Sequence, residues 1–166
     1  MAALFTLLTL NTLVFLASGT PSEALDSAAW LTLLALFEVE TGRVYSLRGR
    51  HATAVIRTVR LLAAVALIVA MAGYIRAKEW LDVANIGLWV AVVALLEVEV
   101  RYPGIVTRHR APFTVAALAL YAGLLAVVAV WLWHGDWFDA YDAALWLAAF
   151  AALEMDVLGL NRETPC

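Results

Sequence analysis

Three pairs of acidic residues recur along the chain at nearly constant spacing. The pairs are Glu38/Glu40, Glu97/Glu99 and Glu154/Asp156. Their first members lie 59 and 57 residues apart. Carboxylates of this kind can bind arginine, hold a cation or relay protons, and inside a membrane they need such partners because a lone charge there costs about 2.5–3.5 kcal/mol. The three pairs are therefore the strongest candidates for a specific role.

Each acid pair ends a longer repeated motif. With the first acid as position 0, the motif has an acid at −15, Asp or Asn at −12 and Trp at −8. These residues are Glu23, Asp26 and Trp30, then Asp82, Asn85 and Trp89, then Asp139, Asp142 and Trp146. At 100° per residue the three positions fall on one stripe of a helix, so the tryptophans and outer acids face the same neighbour.

The known preferences of helix N-termini and of buried tryptophan can explain most residues of this stripe. The acids at −15 and −12 would occupy the first turn of a helix, where free N–H groups and the helix dipole favour them. An acidic vestibule that concentrates cations is the alternative. Trp30, Trp89 and Trp146 are expected to pack between helices or to anchor at an interface.

The composition places these motifs in a bilayer. Of the 166 residues 64% are hydrophobic and only 15% are charged, and the mean hydropathy is +0.86. Apolar runs fall at about 2–18, 24–42, 56–76, 82–101, 112–133 and 140–160, and each is close to the ~20 residues that cross a hydrocarbon core. No Lys or Arg precedes the first run, which therefore predicts a membrane helix and not a secretory signal.

The basic residues predict an orientation. Six crossings put nine arginines on one side, namely Arg43, Arg48, Arg50, Arg57, Arg60, Arg101, Arg108, Arg110 and Arg162. Only Arg76 and Lys78 fall on the other side. By the positive-inside rule both termini should be cytoplasmic, and a bacterial inner membrane is the expected location.

These patterns predict an all-α fold, a polytopic membrane protein with six transmembrane helices in three tandem hairpins related by a pseudo-threefold repeat. The chain would form a single membrane domain, with repeats at about 1–43, 44–102 and 103–166. An interval of 59 or 57 residues contains an even number of crossings, so the repeats run in the same sense.

Basic residues near the predicted inner boundary are candidate partners for the acid pairs. They are Arg43, Arg57, Arg60 and Arg101. Because one guanidinium can bridge two carboxylates, a ring of alternating acids and arginines would close the cytoplasmic end of the bundle. Proton or cation handling and the docking of another subunit are the alternatives.

The functional expectation is a non-catalytic scaffold or accessory subunit of a larger membrane complex, with the lipid bilayer and other membrane subunits as partners. The sequence shows no catalytic constellation, no metal-ligand spacing and no nucleic-acid signature, and it identifies no cofactor. Its one cysteine, Cys166, excludes an internal disulfide framework. The alternative is a small proton or cation channel or transporter that uses Glu38, Glu97 and Glu154.

Overall fold

The fold was obtained as a computed structural model, which describes residues 2–41 and 50–157. Within these ranges the chain forms seven α-helices and no strand. The helices are α1 (Ala2–Ser18), α2 (Pro21–Thr41), α3 (Arg50–Ala77), α4 (Trp80–Arg101), α5 (Pro103–Arg108), α6 (Arg110–His134) and α7 (Trp137–Val157). The predicted all-α class is confirmed.

Each of the six apolar runs coincides with a long helix, but the segment between α4 and α6 differs from expectation. The sequence Tyr102-Pro103-Gly104 predicts a simple turn, whereas the structure forms the six-residue helix α5 with Pro103 in its first turn. Proline suits this position because it lacks the N–H that a first helical turn leaves unpaired.

In the described part of the chain, three helices are long and apolar enough to cross a membrane: His51–Ala77, Trp80–Glu99 and Arg110–His134. In each, only 17% of the most apolar stretch is buried within the protein. Helix α1 is a shorter apolar helix. Exposed apolar surface on this scale is consistent with an integral membrane protein, because contact of so much apolar surface with water would be energetically unfavourable.

The long helices end in related turns that reverse the chain. After α6, Gly135 adopts a left-handed φ of 89°, and Asp136 N–H donates to the Trp131 carbonyl at 2.9 Å. After α3, Lys78 adopts the same conformation at φ 64°, and Glu79 N–H donates to the Tyr74 carbonyl at 3.0 Å. Both are Schellman-type ends, which usually carry glycine.

Helix α2 begins with a capping box. The Thr20 N–H donates to Glu23 Oε2 at 2.8 Å, and the Glu23 N–H donates to Thr20 Oγ1 at 3.3 Å. Asp82 of α4 and Asp139 of α7 lie in the first turns of their own helices. The acid at −15 of each motif therefore lies where the positive end of the helix dipole favours it.

The chain folds as two compact units, of which one comprises Thr6–Trp80. In this unit α2 packs on α3, and the helices approach so closely at Gly73 that an added Cβ would lie 2.1 Å from Ser22 Oγ. Helix α1 contacts α2 through two buried hydroxyls, Thr12 Oγ1 and Ser27 Oγ, at 2.9 Å. Because Thr12 donates its proton to the Leu8 carbonyl, Ser27 must be the donor to Thr12.

The other unit begins at Leu81 and also includes the first residues of the chain. Helix α6 packs on α7 around an apolar core. The core consists of Val127, Trp131, Ala140 and Ala143, with Leu81, Leu88 and Val128 packed against it. Leu88 brings α4 against α6, since a Cβ at Gly123 would lie 3.1 Å from Leu88 Cδ2.

Candidate functional site

The six repeated acids all fall near the C-termini of α2, α4 and α7. Helix α2 ends at Thr41, α4 at Arg101 and α7 at Val157, so Glu38, Glu97 and Glu154 lie three or four residues before an end. The C-terminus is the negative end of the helix dipole, where each carboxylate is disfavoured by about 0.3–1 kcal/mol. Helix stability therefore explains the acids at −15 but not those at 0 and +2.

Among the six repeated acids, Glu97 is the one for which the described residues show a side-chain partner. Its Oε1 accepts from Arg101 Nε at 2.5 Å, one turn along the same helix. The side chains of Arg101 and Glu97 are 66% and 56% exposed, so the pair contributes at most about 1 kcal/mol. Among the described residues, Arg101 therefore pairs with an acid of its own helix.

The other members of the predicted ring are accessible or lie outside the described residues. Glu38 and Glu99 are half-buried, and Arg57 and Arg60 on α3 are exposed. Arg43 lies outside the described residues, as do the side chains of Glu40, Glu154 and Asp156. The ring of alternating acids and arginines stays a prediction.

The tryptophans of the motif are buried. Trp30, Trp89 and Trp146 retain 8%, 4% and 6% of their accessible surface. The Trp89 ring contacts Phe150 of α7, with centroids 4.7 Å apart and planes inclined by 42°, a tilted arrangement that aromatic pairs favour. These side chains occupy helix–helix packing positions, which leaves them little surface for a ligand.

The prediction that the polar residue at −12 lies in the first helical turn is wrong. Asp26, Asn85 and Asp142 are each the sixth residue of their helix, beyond the first turn. In α4, the side-chain oxygen Oδ1 of Asn85 is buried and accepts no hydrogen bond within the described residues. A buried amide oxygen without a donor costs about 1–3 kcal/mol. The side-chain oxygen of Asn85, which lies between the first turn of α4 and Trp89, is therefore in a locally unfavourable environment.

Sequence reasoning missed a second set of recurrent residues, on the helices that precede the motif. Helices α1, α3 and α6 each bury a leucine at an equivalent position and an aromatic residue seven positions after it. The residues are Leu8 and Phe15, Leu67 and Tyr74, and Leu124 and Trp131. They keep the same intervals of 59 and 57 residues as the acids, so aligning the chain on the acid pairs would have found them.

The turns follow the same intervals. Gly19, Lys78 and Gly135 each follow the C-terminus of the first helix of a hairpin, and each lies four residues after the buried aromatic residue. The carbonyl of that aromatic residue accepts a turn hydrogen bond in all three cases. The lysine at the middle position hid this pattern, because a glycine search finds only two of the three turns.

No group of three or more His, Cys, Asp or Glu side chains is arranged to hold a metal ion in the described part of the chain.

No protein-family model, curated protein or solved structure shows a significant match to this chain.

Proposed function

We propose that the protein is an integral-membrane scaffold or accessory subunit, without catalytic activity, whose repeated carboxylates at the cytoplasmic side bind another membrane protein. It would have six transmembrane helices in three tandem hairpins around a pseudo-threefold axis, with both termini in the cytoplasm of a bacterium. The three apolar spans supply the membrane anchor.

Helix length supports the extension from three spans to six. Helices α2, α4 and α7 contain 21, 22 and 21 residues, or about 31–33 Å at 1.5 Å per residue, which matches a hydrocarbon core of about 30 Å. In α2 the acids lie toward the two ends and the stretch from Ser27 to Phe37 carries no charge. Helix α1 has 17 residues, also without charge, at the lower limit for a span.

Recurrent burial supports three equivalent hairpins. The buried leucine, the buried aromatic residue, the left-handed or glycine turn position and the buried tryptophan each occur three times at the same two intervals. Independent helices would not bury residues in the same register, whereas a unit that packs in the same way three times would do so.

The observation that carries the functional proposal is the accessibility of acids at unfavourable helix ends. Glu97 is exposed, and Glu38 and Glu99 are half-buried, although the helix dipole disfavours all of them. An internal ion path needs carboxylates that line a water-filled interior. Accessible carboxylates on an apolar protein fit an electrostatic contact with basic residues of a neighbouring subunit.

Site-specific photo-crosslinking in native membranes tests this proposal. A photoreactive amino acid at position 97 should yield one adduct of defined mass, because Glu97 would contact one partner. The matched control is position 68, where Ile68 is 68% exposed on the apolar face of α3 and should yield lipid adducts. Glu97→Gln together with Glu99→Gln should lower recovery of the complex about 30-fold or more, as loss of interfacial charge pairs costs about 2–5 kcal/mol.

Reconstitution separates this proposal from an ion-conducting role. Purified protein in liposomes should pass no protons or monovalent cations. Flux that Glu97→Gln abolishes would establish the channel and reject the scaffold. Equal adduct patterns from positions 97 and 68 would also reject it.

A further inference from the structure

Among the described residues, the segment that joins α4 to α6 packs against no helix other than α6, which follows it directly. Helix α5 has no buried residue, and of residues 101–112 only Val106 is even half-buried. A six-residue helix is far too short to be stable in water by itself. Its stability must therefore come from its surroundings.

Helix α5 is amphipathic despite its length. Tyr102, Ile105 and Val106 are spaced i, i+3 and i+4, which places them on one face. Tyr102 and Ile105 are 54% and 52% exposed. The opposite face carries Thr107, whose hydroxyl donates to the Gly104 carbonyl at 3.1 Å, and Arg108.

The ends of two candidate spans fix the depth of α5. The span Trp80–Glu99 ends just before it, and the span Arg110–His134 begins just after it. If both helices cross the bilayer, α5 must lie at the lipid headgroups of one surface, because about 9 Å of helix cannot leave that region and return. Tyr and apolar side chains prefer this depth.

The basic residues at the end of α5 indicate which class of lipid it would bind. Arg108 and Arg110 are exposed, and within the described residues neither guanidinium makes a hydrogen bond or ion pair with another side chain. Guanidinium groups recognise phosphate oxygens with two parallel hydrogen bonds.

We infer that α5 with Arg108 and Arg110 is an interfacial binding site for anionic phospholipid, in which the arginines bind headgroup phosphates while Tyr102 and Ile105 insert among the upper acyl chains. This inference rests on the membrane-spanning part of the proposed function and adds a specific lipid partner to it.

Native mass spectrometry of the full-length protein, released from discs of equal phosphatidylcholine and phosphatidylglycerol, tests the site. The wild type should retain phosphatidylglycerol preferentially, and Arg108→Gln with Arg110→Gln should lower that preference about 30-fold, the effect of two basic residues at an anionic surface. The matched control, Arg76→Gln with Lys78→Gln, removes the two bases of the opposite side and should keep the preference.

Two further variants separate the effect of the basic charge from that of the apolar face. A soluble competitor then shows whether the phosphate must belong to a lipid. Arg108→Lys with Arg110→Lys should retain part of the preference, because the charge is kept while the two parallel hydrogen bonds of each guanidinium are lost. Tyr102→Ser with Ile105→Ser should weaken lipid retention although both arginines remain. Soluble glycerol phosphate at the same concentration should not displace the lipid, and displacement would show a phosphate site that needs no membrane and would overturn the inference.

Vesicle flotation distinguishes failure of the lipid-site inference from failure of the proposed membrane function. A protein that does not float with pure phosphatidylcholine vesicles is not a membrane protein, and both proposals fall. A protein that floats but whose lipid preference is unchanged in the glutamine variant overturns the lipid site alone.

Discussion

Replacement of Gly73 by alanine should disrupt the packing of α2 on α3. The added Cβ would lie 2.1 Å from Ser22 Oγ and 3.3 Å from Ser22 Cβ, so the serine must rotate and the two helices must separate slightly. Such overpacking costs about 1–3 kcal/mol. Alanine also has a higher helix propensity than glycine, worth up to about 1 kcal/mol, which partly offsets the clash.

A second glycine removes this ambiguity. Gly87 lies in α4, and a Cβ there would meet nothing within 4 Å, so Gly87→Ala gains helix propensity without a clash. Gly73→Ala should therefore be less stable than Gly87→Ala by about 1–3 kcal/mol, measured by denaturant unfolding in detergent micelles followed by tryptophan fluorescence. Adding Ser22→Ala to Gly73→Ala should recover most of the difference, because the 2.1 Å contact disappears.

Equal stability of the two glycine variants would refute the close approach of α2 and α3. A deficit that Ser22→Ala leaves unchanged would place the clash elsewhere.

Three further changes test the turns and the hydroxyl pair by the same unfolding measurement. Lys78→Gly should stabilise the protein by about 1 kcal/mol, because glycine adopts the left-handed conformation without strain; an unchanged midpoint would contradict the turn. Thr20→Ala should cost about 1 kcal/mol by opening the capping box, while Glu23→Gln, which keeps an acceptor, should cost less. Thr12→Val should cost about 1–3 kcal/mol because it leaves the buried Ser27 hydroxyl without its acceptor, and adding Ser27→Ala should restore part of the loss; a double variant less stable than Thr12→Val would argue against the pair.

The sequence was sufficient to predict the six long helices, since each apolar run is bounded by polar or chain-breaking residues. The first apolar run also contains threonine and asparagine, and Thr12 of this run makes a hydrogen bond with Ser27 of α2. Helix α5 was missed because six residues carry too little periodicity to distinguish a helix from a turn.

The candidate site was predictable in its residue types but not in its contacts. The spacing of Glu97 and Arg101 allows either a pair within one helix or a bridge between helices, and only side-chain geometry decides for the former. The left-handed Lys78 was not predictable from residue type, because lysine carries no preference for that conformation.

The hydroxyl pair between α1 and α2 bears on which helices can pack beside each other. At the positions corresponding to Thr12 and Ser27 the third hairpin has Val128 and Ala143. If α7 replaced α2 beside α1, in one chain or between two copies, Thr12 would face a methyl group and Ser27 would lose its acceptor. In lipid, where apolar helix surfaces are nearly interchangeable, this mismatch would favour the packing of α1 on α2 over the packing of α1 on α7.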